Sequence, residues 1–150
     1  MNKLFLLLTF MLSTVIASAQ EIKWMSFNEA IEAQKENPKP IFMDTFTEWC
    51  GPCKMLDKNT FSDEKVIDYI NKNYYAVKFN AEGNEIISFH NKKFTNPGYN
   101  ENRKSRNATH DFTMYLRVPG YPSMVILDSK GEIVKTIVGY KTPEQLLDVI

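Results

Sequence analysis

Ile41-Phe42-Met43-Asp44-Thr45-Phe46-Thr47-Glu48-Trp49-Cys50-Gly51-Pro52-Cys53-Lys54 joins an apolar run to a turn and then to helix-forming sequence. Ile41 to Thr47 reads as a buried strand, short and rich in apolar residues. The helix starting near Cys50 is expected to break around Asn59-Thr60-Phe61-Ser62. Ser62-Asp63-Glu64-Lys65 then offers a fresh N-cap for an amphipathic segment bearing Val66, Ile67, Tyr69 and Ile70. Cys50 and Cys53 are the chain's two cysteines and fall at the strand-to-helix turn. A pair at this spacing can close a disulfide between its own members and open it again. The thiolate is the reacting species, and a helix N-terminus stabilises it. Cys50 is therefore placed as nucleophile and Cys53 as the resolving thiol.

A structural bridge is the competing reading. Such bridges act mainly by closing long loops in the unfolded chain, and Cys-x-x-Cys closes almost nothing. The functional reading is the stronger one.

Working outward, Glu29 to Glu36 reads as a first helix, with Asn28 as its N-cap and Asn37-Pro38 as its stop. Tyr74 to Phe79, Met124 to Leu127 and Ile133 to Val138 read as strands. Ser129-Lys130-Gly131 connects the last two as a hairpin, with Gly131 free to adopt positive φ. Thr142-Pro143-Glu144 opens a final helix, with Thr142 as N-cap. This order predicts an α/β fold with a mixed sheet flanked by helices. Ala81 to Arg117 is less regular: Glu85 to His90 and Asp111 to Leu116 are expected to be helical, separated by a polar loop. A connection of that length in a compact domain is often a functional element.

The chain has 150 residues, which fits one domain after a leader. Lys3, the apolar run Leu4 to Ile16 and Ala17-Ser18-Ala19 have the layout of a secretory signal with cleavage near Ala19. The thirteen-residue run is short against the roughly 20 residues that span a bilayer. Residues 1–19 are thus expected to be a signal peptide and 20–150 one domain, periplasmic or secreted. Eighteen basic residues balance eighteen acidic ones, so no net field draws nucleic acid or an anionic membrane. Hydrophobic content of 43% argues against disorder.

Phe46 to Lys54, taken with Val118-Pro119-Gly120-Tyr121-Pro122-Ser123, resembles the thioredoxin superfamily, especially its exported bacterial thioredoxin-like members. The resemblance runs from about Asn28 to the C-terminus, apart from Ala81–Arg117. It implies the thioredoxin fold, with an insertion over about 81–117 ahead of a cis-proline loop in which Pro122 is the cis residue. It also implies roles. Asp44 is a buried carboxylate that takes the proton of Cys53, as a general base. Lys78 is the partner of Asp44, and Gly120 and Gly139 flank the site. Trp49, Gly51, Pro52, Tyr121 and Pro122 contact substrate, the backbone of Tyr121 pairing with an extended chain. Tyr121 stands where thioredoxins carry a smaller aliphatic residue, and Thr60-Phe61-Ser62 matches the exported subgroup.

The function so implied is a thiol-disulfide oxidoreductase of the cell envelope that needs no cofactor. Its partners would be disulfide-containing or dithiol proteins and a membrane thiol electron donor. Gly51-Pro52 is the dipeptide of reducing thioredoxins and favours a reductase. A disulfide isomerase or oxidase, or a reductant for apocytochrome maturation, is the alternative. Nothing resembles a dimerisation domain, and a monomer is expected. A partner-binding module built on the insertion, with its bases Lys92, Lys93, Arg103, Lys104 and Arg106, is a non-enzymatic reading. A metal set of Cys50, Cys53, His90 and His110 is disfavoured, because the histidines lie twenty apart. Both are expected to be ordinary surface or loop residues.

Overall fold

The computed structural model describes residues 20–150. The expected signal segment, 1–19, lies outside them. The elements are β1 (Trp24–Met25), α1 (Phe27–Glu36), β2 (Ile41–Phe46), α2 (Gly51–Asn59), α3 (Glu64–Asn73), β3 (Tyr75–Asn80), β4 (Ile87–Phe89), β5 (Lys92–Phe94), α4 (Asp111–Tyr115), β6 (Ser123–Leu127), β7 (Ile133–Val138) and α5 (Pro143–Leu147). Five strands form one mixed sheet in the order β1-β3-β2-β6-β7. β2 runs parallel to β3 and antiparallel to β6, which places it at the centre. Among the described residues no helix is long and apolar enough to cross a membrane.

The period-2 alternation of β2 sorts its side chains between two cores. Ile41 and Met43 face a cluster containing Phe27, Val77, Phe79, Phe112 and Val125. Phe42 faces the opposite cluster, with Leu56 of α2, Val66, Ile67 and Ile70 of α3, and Leu146 of α5. Asp44 shares the parity of Phe42, so the sheet carries its carboxylate to the face covered by the helix that holds Cys53.

Local chemistry sets most element ends as expected. Thr142 caps α5 in a capping box with Gln145, Asp63 caps α3, and Gly131 turns the β6–β7 connection at φ +84°. The α1 cap differs from expectation. Ser26, not Asn28, is the N-cap, in a capping box with Glu29. Asn28 instead accepts from Ser88 N–H at 3.0 Å and donates to the Ile86 carbonyl at 2.7 Å. Its amide takes the place of a neighbouring strand.

The insertion corrects a second expectation. Glu85 to His90 is not helical: Ile87–Phe89 pairs with Lys92–Phe94 as a β-hairpin. His90 and Asn91, at φ 48° and 59°, form its two-residue turn. Positive φ at both central positions matches the twist of the flanking strands, and Asn tolerates that region better than most residues. A lone hairpin is marginal in water. This one is stabilised by burying Ile87, Phe89 and Phe94 against Phe27 and Phe112, with Phe27–Phe112 and Phe94–Phe112 ring centroids at 4.7 and 5.2 Å. The insertion thus supplies a large part of one core.

His110 is likewise not a surface residue. It is fully buried as the N-cap of α4, where Nδ1 accepts from Phe112 N–H at 3.0 Å and Nε2 lies 2.6 Å from the Glu85 carbonyl oxygen. Both ring nitrogens are spent on backbone groups, which leaves neither for a metal.

Phe112→Ala should remove the centre of the insertion's core and cost about 3–5 kcal/mol in denaturant unfolding. A cost below 1 kcal/mol would mean that the insertion packs independently of the sheet.

Candidate active site

Cys50 is the N-cap of α2, and Pro52 occupies its first turn. Cys50 and Cys53 are joined as a disulfide with their Cα atoms 5.3 Å apart. Cys50 Sγ accepts from the Cys53 backbone N–H at 3.1 Å. The same N–H and the positive end of the helix dipole would stabilise a thiolate on Cys50 once the bond is opened. Both cysteines are almost fully buried. Gly51 meets no neighbour where a side chain would begin, so that side of the turn is open.

Behind the pair, Asp44 is fully buried and lies opposite Lys78 in the β2–β3 register. Lys78 Nζ donates to Asp44 Oδ2 at 2.7 Å and also bridges to Asp57 of α2. The ammonium lies 5.0–5.2 Å from the rings of Trp24, Phe61 and Phe46. Asp44 Oδ1 is buried with no hydrogen-bond partner among the described residues. Burial pushes the Asp44 carboxyl up from 3.8 to about 6, against the pull of Lys78 and with a further push from the charge of Asp57. A carboxylate so tuned can exchange a proton near neutral pH.

In front of the pair, the Tyr121–Pro122 peptide bond is cis. Gly139, at φ +81°, donates its N–H to the Pro122 carbonyl at 2.8 Å and ties this loop to the end of β7. Ser123 Oγ donates to the Gly120 carbonyl at 2.7 Å. The Tyr121 ring meets Trp49 edge-on with centroids 6.0 Å apart. The Trp49 indole N–H donates to Glu82 at 3.1 Å, and the Arg106 guanidinium lies 4.1 Å from the indole ring centre.

A family model described as a thioredoxin-like domain matches residues 27–150. The chain belongs to the thioredoxin-like family. The structure of a candidate disulphide-isomerase from Bacteroides thetaiotaomicron is similar to this thioredoxin-like chain, with 30% identity, coverage of 89% of this chain and 93% of that one, and a TM-score of 0.60. A thioredoxin from Thermus thermophilus shares the fold at 15% identity and a TM-score of 0.62, with 85% and 83% of the two chains covered. The thiol:disulfide interchange protein DsbD of Campylobacter jejuni strain RM1221 is 35% identical over 75 residues, which is 48% of this chain and 13% of that protein. The chain therefore spans a small part of the length of that curated relative. Family and cysteine pair together point to thiol-disulfide oxidoreductase chemistry.

The structure brings Cys50, Cys53, Trp49, Tyr121 and Pro122 to one end of the sheet, with Asp44 and Lys78 beneath α2. Asp57 and Glu82, which the sequence reading missed, join them, as does Arg106, expected only as one of the insertion's bases. Asp57 had a usable signal, since it lies four residues after Cys53 on the same helix face. Glu82 had none, and nothing placed Arg106 at Trp49, because both reach the indole through the path of the insertion.

The Asp44 carboxyl is raised in the fold, so the ionised form is the disfavoured one. Below about pH 4 it is protonated in folded and unfolded chains alike, and no cost arises. Oxidised protein should lose on the order of 3 kcal/mol of stability as pH rises from about 4 to about 6. Asp44→Asn should lack that loss. Denaturant titrations at pH 4 and pH 7 measure it, and parallel pH profiles for the two proteins would contradict it.

Proposed function

We propose that the protein is a dithiol reductase of the cell envelope, acting on protein disulfides through Cys50 and Cys53. The observation that carries this reading is the Cys50–Cys53 disulfide at the N-terminus of α2, with a buried carboxylate behind it. The reaction starts from the reduced pair. Cys50 thiolate attacks one sulfur of a substrate disulfide, forms a mixed disulfide and releases the other sulfur as a thiolate. Asp44 takes the proton of Cys53, whose sulfur then attacks Cys50 Sγ. The second substrate thiolate leaves, and both electrons of the dithiol now reside in the reduced substrate. The product is the disulfide found in the structure, which a dithiol donor must reduce before the next cycle.

Asp44 Oδ1, without a hydrogen-bond partner among the described residues, supports the proton-acceptor role. Lys78 holds the other oxygen, and burial, with a smaller push from the Asp57 charge, keeps the carboxyl basic enough to accept. Trp49, Gly51, Pro52, Tyr121 and Pro122 form the face that a substrate would meet, with Gly120 and Gly139 supporting the loop. Gly51-Pro52, as in reducing thioredoxins, supports the reducing direction, and the leader expected over residues 1–19 supports an envelope location. The dithiol donor would then be a membrane thiol carrier. An isomerase reading is favoured by the 30% identity to the candidate disulphide-isomerase.

Cys50→Ser should abolish disulfide reduction, whereas Cys53→Ala should accumulate a mixed disulfide visible by mass spectrometry. Asp44→Asn should leave formation of that mixed disulfide intact and slow its resolution roughly 10²-fold at pH 7. The wild-type resolution rate should rise as pH passes through about 6. Direction is read from the reduction potential in glutathione buffers. A value near about −270 mV fits a reductase, and one near about −120 mV would overturn it in favour of an oxidase. Refolding of a scrambled substrate tests the isomerase reading.

A further inference from the structure

Within the insertion, residues 96–107 form an arm that reaches back to the cysteine loop. Its neck is closed by the Asn96 amide, which is nearly buried and donates to the carbonyls of Gly83 and Ala108 at 2.9 and 2.7 Å. Gly98 is required there, since a Cβ would sit 2.8 Å from that of Ala108. Asn107 Oδ1 accepts from Asn100 N–H at 2.9 Å, and its Nδ2 donates to the Asn100 carbonyl at 2.9 Å. Glu82 accepts from Asn107 N–H at 2.8 Å with the carboxylate oxygen that also takes the Trp49 indole N–H. The arm is therefore tied at its neck to the domain and at Asn107 to the residue that holds Trp49.

The arm is charged. Residues 96–107 hold Arg103, Lys104 and Arg106 against one acid, Glu101, and all four are exposed. None of the three bases forms an ion pair among the described residues. Glu82 meets the edge of the Trp49 indole, while Arg106 covers its face. The next residue after Trp49 is Cys50, and the indole's other neighbour is Tyr121 of the proline loop. The arm accordingly sets the Arg106 guanidinium, which has no ion-pair partner among the described residues, over the residue next to Cys50, with the Glu82 carboxylate at the indole's edge.

We infer that Arg106 is a specificity-determining residue and that the arm selects disulfides in extended segments with acidic side chains within about three residues of the reactive cysteine. This rests on the dithiol reading above. At about 3.3 Å per residue, an extended chain crossing Cys50 carries such a side chain past the indole to the outer side of the guanidinium. A partly exposed ion pair of this kind favours the acidic segment roughly five-fold. The bases of Arg103 and Lys104 add a longer-range attraction that salt screens.

The test uses the full mature chain with Cys53→Ala, which holds the mixed disulfide. Three peptide disulfides are compared, identical but for acidic, neutral or basic flanks, and the rate of mixed-disulfide formation is measured. The acidic-to-basic rate ratio should exceed one at low salt and shrink at 0.5 M NaCl. Arg106→Ala should cut the ratio about five-fold, Arg106→Glu should reverse the preference, and Arg106→Lys should keep most of it. A merely structural role would scale all three peptides together and leave the ratio unchanged, which would overturn the inference while the dithiol reading stands. A ratio insensitive to salt would overturn it as well. Failure of every peptide to form a mixed disulfide would overturn the dithiol reading and this inference with it.

Discussion

A carboxylate held inside the sheet organises this protein. Asp44 is on the central strand, on the face covered by α2, where water cannot solvate it. Burial of a charge at such a place is costly, and the fold offsets only part of that cost. Lys78 binds one oxygen, and the other has no partner among the described residues. The ammonium in turn is shared with Asp57 and set among three aromatic rings. The result is a proton site poised near neutrality and placed under the helix that begins at the cysteines. Stability and proposed chemistry pull against each other here, as is common where a group must be ready to change its charge.

The second organising element is the insertion between β3 and β6. Its hairpin and α4 bury Phe89, Phe94 and Phe112 against the sheet, so it is core as much as decoration. Its arm leaves that core and reaches the indole beside Cys50. The same segment thus contributes packing at one end and a charged wall at the other. Glu82 joins the two roles, since one carboxylate oxygen ties the arm to Trp49. The arm and the proline loop both meet the cysteine loop at the Trp49 indole.

The mixed α/β sheet, the placement of both cysteines and the Asp44–Lys78 pair were legible in the residues, whereas the order of the strands was not. Each depends on short-range pattern or on the resemblance of two motifs. Thr142-Pro143 and Gly131 carried clear local signals for a cap and a turn. The failures have physical causes. Asn28 and Ser26 are both good caps, and Asn28 was drawn away by the unpaired edge of a hairpin lying 58 to 60 residues further on. Glu85 to His90 lacks an Asn-Gly turn, and its strand character emerges only when Phe89 finds Phe112.

The sequence by itself determined the family and the place of Asp44, through the resemblance of two motifs, and the cysteine pair at a helix start, through the spacing of residues along the chain. Only the tertiary structure decided that His110 is a buried cap, that Asp57 shares Lys78, and that Glu82 and Arg106 grip Trp49. Those contacts join segments from opposite ends of long connections, and no local periodicity encodes where such connections cross.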